Sequence, residues 1–150
     1  MVIRDPTREE MFEIIEKSSQ FCDESSGYTV DYNEENRKAF RNQLIAALSS
    51  GMKTRVAEES DNIMGAIMYI SSREDQITRE KYGFILNLIV FPEYRKKGIA
   101  RSLIENFKEE LEKEGINDVR LNVFAENGKA IRLYEKLGFK IHSMVMSKKT

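Results

Sequence analysis

The chain has 150 residues, 41% of them hydrophobic and 33% charged, with a formal net charge of −1. That is enough for one domain, residues 1–150, with a sizeable core, and the near-neutral balance gives no global field to draw the protein to nucleic acid or an anionic membrane. A single cysteine (Cys22) and a single histidine (His142) exclude an intrachain disulfide, a cysteine-based zinc site and any motif needing two histidines.

The pattern opens with a short strand at Val2–Arg4. Thr7 and Glu10 fit a capping box, and Met11, Phe12, Ile14, Ile15 and Phe21 then recur at helical spacing. The polar stretch 23–32 reads as a loop. A second helix is expected from Glu34 to Ser49, with Phe40, Leu44, Ile45 and Leu48 as its apolar stripe and Gly51 past its end. Lys53–Glu59 and Ile63–Ser71 read as two strands of a hairpin turning at Ser60-Asp61-Asn62. The second of these and Tyr82–Phe91 are apolar on both faces, so both belong in the centre of the sheet under helices on either side. Pro92 ends the latter because proline cannot donate to a ladder. Ile99–Glu114 is the best-defined helix, closed by Gly115. Val119–Phe124 alternates as a half-buried strand, Asn127 starts a short helix through Leu137, and Phe139–Met146 reads as a final strand.

The expected architecture is therefore a mixed α/β (α+β) sheet. Its centre is antiparallel, one parallel pair joins the strands flanking the helix at 99–114, and helices cover both faces. No apolar run approaches the roughly 20 residues that span a bilayer. No basic stretch followed by an apolar segment opens the chain, and the expected location is cytoplasmic.

The most informative stretch is Val90–Leu103. Arg95, Lys96, Lys97 and Arg101 crowd the start of a helix, opposed nearby only by Glu93. A helix N-terminus already carries roughly half a positive charge and unpaired N–H groups. Cations there call for an external anion, best a phosphate or pyrophosphate. Gly98 lets a ligand approach the backbone, and Ala100 keeps the first turn small. Neither a P-loop nor a Gly-x-Gly-x-x-Gly dinucleotide fingerprint is present.

Arg95-Lys96-Lys97-Gly98-Ile99-Ala100 resembles the Arg/Gln-x-x-Gly-x-Gly/Ala motif of the GNAT superfamily of acyl-CoA-dependent N-acetyltransferases. Leu88–Tyr94 looks like its usual lead-in, and Asn127–Phe139 resembles its second motif. The motifs cover residues 84–139, and the element order extends the likeness across the chain. The resemblance implies a transferase that moves an acetyl group from acetyl-CoA, its co-substrate, to a primary amine of a small molecule or peptide, with no metal, membrane or nucleic-acid partner. It leaves a homodimer open.

It also implies roles. The backbone from Arg95 through Lys96, Lys97, Gly98, Ile99 and Ala100 to Arg101 would hold the CoA pyrophosphate. Leu88, Ile89 and Val90 would pair with the pantetheine arm like an added strand, with a strand N–H near Ile89 polarising the thioester carbonyl. Asn127 would touch the same arm, and Tyr134 would protonate the departing thiolate.

Other readings stand beside these. Tyr134 can be a core aromatic, and Asn127 an ordinary N-cap that also meets the ligand. Asn87, polar inside a buried strand, is either satisfied by a neighbouring segment or in contact with the acceptor or a water. His142 reads as a partly exposed strand residue and Cys22 as a small buried hydrophobe. Glu58, Glu59, Glu80 and Tyr82 are all open as the general base. Acids and aromatics at 23–35 (Asp23, Glu24, Tyr28, Asp31, Tyr32, Glu34, Glu35) would suit a cationic acceptor, or form a plain polar loop. The alternative of another class is a non-catalytic CoA-binding sensor. A nucleic-acid module is disfavoured by the charge balance.

Overall fold

The computed structural model describes residues 1–21 and 33–150. Cys22 and the residues expected to wall an acceptor at 23–32 lie outside that set. The elements in chain order are β1 (Val2–Arg4), α1 (Arg8–Gln20), α2 (Glu34–Leu48), β2 (Lys53–Glu59), β3 (Asn62–Glu74), β4 (Lys81–Val90), a 3-10 turn (Pro92–Tyr94), α3 (Ile99–Lys113), β5 (Val119–Leu121) and α4 (Gly128–Lys136). Among the described residues no helix is long and apolar enough to cross a membrane.

The strands lie in sequence order, β1-β2-β3-β4-β5. The first four pair antiparallel, and β4 pairs with β5 in parallel as expected of a strand–helix–strand unit. The β2–β3 turn has Ser60 and Asp61 both at positive φ, the backbone that matches the twist of a tight hairpin. The sheet separates two cores. On one face α1 and α2 bury Ile14, Ile15 and Leu44 against Val56, Ala66, Met68 and Ile89. On the other, the predicted α3 stripe (Ile99, Leu103, Ile104, Phe107, Leu111) packs on Ile67, Tyr69 and Ile85. Strands apolar on both faces are what two such layers require.

Polar links fix how the helices sit. The Tyr69 hydroxyl donates to Glu110 Oε2 at 2.6 Å, and Lys53 and Arg55 reach the same carboxylate at 3.4 Å, tying α3 to β2 and β3. The α1 capping box forms as the sequence predicts: the Thr7 amide donates to Glu10 Oε1 at 2.8 Å, and the Glu10 amide to Thr7 Oγ1 at 3.2 Å. Arg4 on β1 donates twice to Glu10 at 2.9 Å and also pairs with Glu58 of β2.

Two expectations at the C-terminal end differ from the structure. The strand expected over Val119–Phe124 stops at Leu121, where its partner veers away. The final strand expected over Phe139–Met146 does not form, so His142 is an exposed residue of irregular chain rather than a strand residue. Phe139 rests against the α3-side core, but beyond it Ile141, Met144, Val145 and Met146 are exposed. An alternating pattern sets only a preference for extended backbone; without a ladder partner it makes no strand.

The Arg4 guanidinium first, and the Thr7 amide second, hold the Glu10 carboxyl down at about 2 against its ordinary 4.5. A depressed folded-state pKa contributes stability that is complete above pH 4.5 and is lost as pH falls toward 2. The urea midpoint is expected to fall across that window. Glu10→Gln should lower the midpoint at neutral pH and flatten the fall; an unchanged acid slope would remove Glu10 from the linkage.

Candidate active site

The site begins with one extra residue in β4. Asn87 pairs with Met68 and Ile85 with Tyr69, so Leu86 is a bulge. The bulge exchanges the faces of the strand: Ile85 packs beneath α3, whereas Asn87 and Ile89 turn toward α1 and α2. It also bends β4 off β5, whose ladder ends at the Ile85–Leu121 pair. The closed end of the resulting split is clamped by Arg120 of β5, which donates to Asp75 at 2.7 Å and lies 4.1 Å over the Tyr82 ring.

Past the bulge, β4 has an edge with no strand beside it among the described residues. The Phe91 amide donates to Met64 O at 2.9 Å, so Phe91, Ile89 and Asn87 direct their backbone polar groups at β3. Leu88 and Val90 direct theirs at the split. Arg95 Nε donates to Val90 O at 2.9 Å, an independent sign that this carbonyl faces outward. Of the three residues expected to form a strand-like edge, Leu88 and Val90 are presented, and Ile89 has its backbone in the β3 ladder and its side chain in the core. Arg95, expected with the anion-binding cations, turns back to brace the end of β4.

That edge runs directly through Pro92–Tyr94 into the start of α3. Gly98 caps the helix at φ 78 and Lys96 precedes it at φ 63. The first α-type bond is from the Ser102 amide to Gly98 O at 3.1 Å. Among the described residues, the amides of Lys96, Lys97, Gly98, Ile99, Ala100 and Arg101 donate to no carbonyl outside the helix's own ladder. No acid stands in the first turn, and Lys96, Lys97 and Arg101 are exposed. A Cβ built on Gly98 would meet nothing within 4 Å, so the backbone lies open to a ligand. Consecutive unpaired amides at a helix start with lysines beside them form an anion cradle.

The split itself is a cleft of about 170 Å³ lined by Ile85, Leu86, Asn87 and Leu88 of β4, the 121–124 segment, Phe40 of α2 and Tyr134 of α4. It is lined from both faces of the sheet, by Phe40, which packs on the α1/α2 core, and by Tyr134, which packs on Phe139 beside the α3 core. Tyr134 also packs edge-on against Phe139 at 5.7 Å, and burial pushes its hydroxyl pKa up. Asn127 is buried and caps α4 by accepting from the Ala130 amide at 3.1 Å.

None of the four candidate bases lines this cleft. Glu58 pairs with Arg4, Glu59 with the N-terminal amine at 3.4 Å, Glu80 is exposed in the β3–β4 connection, and Tyr82 lies under Arg120. Glu34 and Glu35 form the first turn of α2. The sequence reading missed Phe40, Asn122 and Phe124 as lining residues. Phe40 reads as one more member of a helical stripe, and the other two as the end of a strand.

A mixed sheet split at a bulge, with a basic helix start at the mouth of the split, is an arrangement that can take an extended phosphate-bearing ligand along a strand edge. The sequence profile of the Acetyltransferase (GNAT) family matches residues 9–139. The chain belongs to that family. The [ribosomal protein bS18]-alanine N-acetyltransferase of Escherichia coli (strain K12) is 46% identical over 55 residues, 37% of each chain. The uncharacterized N-acetyltransferase YycN of Bacillus subtilis (strain 168) is 36% identical over 70 residues, 47% of this chain and 45% of its own. These matches span less than half the length of either relative. Among solved structures, a putative acetyl transferase from Pyrococcus furiosus superposes with a TM-score of 0.81 at 22% identity, covering 99% of both chains, a likeness of fold.

The cradle is testable without an acceptor. Gly98→Asp introduces a carboxylate where the amides converge; a Cβ there meets no neighbour, but φ 78 strains any side chain, so Gly98→Ala serves as the equally strained, uncharged control that still binds. Calorimetric titration with acetyl-CoA should show binding abolished in Gly98→Asp. Wild-type affinity would refute the cradle.

Proposed function

We propose that the chain is a single-domain acetyl-CoA-dependent N-acetyltransferase, transferring the acetyl group to a primary amine by direct attack on the thioester. The observation that carries this reading is the continuity of two features: the β4 edge at Leu88 and Val90, with no strand beside it among the described residues, leads straight into the basic start of α3, which has no side-chain cap. The first suits an amide-bearing arm that adds like a strand, the second a pyrophosphate, and CoA carries both in that order. The orphan amides and the open Gly98 backbone fit such a group.

Acetyl-CoA supplies an activated acyl carbon; the protein places it. Amides from Lys96 to Arg101 hold the pyrophosphate, and Lys96, Lys97 and Arg101 add attraction that salt screens. Leu88 and Val90 pair with the arm, and a free edge amide donates to the thioester oxygen as negative charge grows there. Asn127 fixes the start of α4 and so the place of Tyr134. The amine nitrogen bonds to the acyl carbon, the carbon–sulfur bond breaks, and the Tyr134 hydroxyl gives its proton to the sulfur. Burial keeps that hydroxyl protonated at neutral pH, as an acid must be. The proton that the amine loses on bonding passes through water and restores the Tyr134 hydroxyl. A lysine-like amine of pKa about 10.4 is neutral in only about one molecule per thousand at pH 7, so the rate should climb with pH.

Thiol release from acetyl-CoA should be screened with spermidine, an aminoglycoside, a lysine-containing peptide and an alanine-starting peptide. Turnover with one class identifies the acceptor; acetyl-CoA binding without turnover on any amine favours the sensor. Tyr134→Phe is expected to cut kcat by about 10²-fold while acetyl-CoA affinity stays near wild type. Equal kcat would remove Tyr134 as the acid.

A further inference from the structure

We propose that Asn87 positions the attacking amine, by accepting its hydrogen bond through Oδ1. The proposal rests on the transferase reading above and adds a residue on the acceptor side of the reaction.

Asn87 is 8% exposed, within the apolar layer between β4 and α1. Its Nδ2 donates to Ser18 Oγ at 3.2 Å and lies 3.9 Å from Met68 Sδ. A thioether only accepts, so the amide edge facing Met68 must be the donor, and the orientation of the carboxamide is fixed. Oδ1 therefore points the other way. It accepts from no described residue, yet it is not among the buried polar atoms sealed off without a partner. The opening that Asn87 borders is the cleft, which its own strand lines. A carbonyl-type oxygen bordering the cleft, with no partner among the described residues, is a hydrogen-bond acceptor awaiting a donor.

The bulge decides where that oxygen sits. With regular pleating, Asn87 would share the α3 face with Ile85; the extra residue sends it to the α1/α2 face. Tyr134 enters the cleft from the opposite side of the sheet. A donor amine arriving past Phe40 would meet Asn87 one residue from the Leu88 edge, across the sheet from Tyr134. A neutral amide also serves where a carboxylate would be a costly buried charge. It aims the nitrogen without removing its proton.

The test uses the full chain with spermidine and an alanine-starting peptide as probes. Asn87→Ala should raise the KM of whichever amine turns over by about tenfold, the worth of one lost hydrogen bond at a buried site, and weaken that amine's calorimetric binding to the CoA-loaded protein by a similar factor. The Kd of acetyl-CoA should stay near wild type, while the thermal midpoint falls modestly with the lost bond to Ser18. Ser18→Ala frees the carboxamide to rotate and should give a smaller change in the same direction. Asn87→Asp keeps an acceptor oxygen in place and should recover amine affinity over Asn87→Ala; a purely structural Asn87 would tolerate a buried carboxylate no better than alanine. An unchanged amine KM in Asn87→Ala, or amine and acetyl-CoA affinities falling together, overturns the assignment alone. Wild-type binding of acetyl-CoA with no thiol release on these two probes, the aminoglycoside or the lysine-containing peptide overturns the transferase reading and the assignment with it.

Discussion

Everything distinctive about this molecule depends on one interrupted ladder. Parallel strands β4 and β5 are held together at Gly83–Ile85 and Val119–Leu121, then forced apart by the single extra residue at Leu86. A ladder that continued would satisfy the edge of β4 and leave nowhere for a ligand. A ladder that never formed would leave β5 and α4 unanchored. The split needs both, a clamp at one end and a bulge at the other. Arg120 supplies much of the clamp, with its guanidinium between the Asp75 and Asp118 carboxylates and over Tyr82.

The same economy governs the cradle. Its amides are useful only because α3 cannot shift, and α3 is held along its whole length. Five apolar side chains seat it on the sheet, and Glu110 latches its far half to Tyr69, Lys53 and Arg55. Close approach matters on the strand side too. A Cβ on Gly65 would stand 2.5 Å from the Ile89 carbonyl oxygen, so glycine there allows β3 to support β4 just where its other edge must stay straight and free. Rigid elements carry the recognition groups on both sides of the mouth, the arrangement that makes a binding geometry reproducible.

Much of the fold was legible beforehand because its causes are local. Thr7 and Glu10 announce α1, Asn127 announces α4, and the stripe from Ile99 to Leu111 leaves one way for α3 to face. The cations around Gly98 were legible for the opposite reason: they conflict with the helix that follows, and a bound anion would relieve the conflict. The bulge was hidden because β4 is apolar on both sides, so a residue that swaps its faces leaves no mark in the pattern. The missing last strand was hidden for a related reason, since alternation at Phe139–Met146 reports what the segment prefers and not whether a partner adjoins it. The four candidate bases shared the same weakness: proximity to central strands in sequence says nothing about which end of the sheet holds the cleft.

The sequence by itself determined the helices, the first four strands, their order and the two-sided core, and it placed the cations at the start of α3. Caps, periodicity and a glycine at positive φ act within a few residues of where they are written. Only the tertiary structure decided which backbone groups of β4 remain free, that Ile89 belongs to the ladder while Leu88 and Val90 face the cleft, that Arg95 braces a carbonyl, and that Asn87 turns toward α1. Those outcomes follow from register against β3, and register is a relation between strands that neither strand encodes alone.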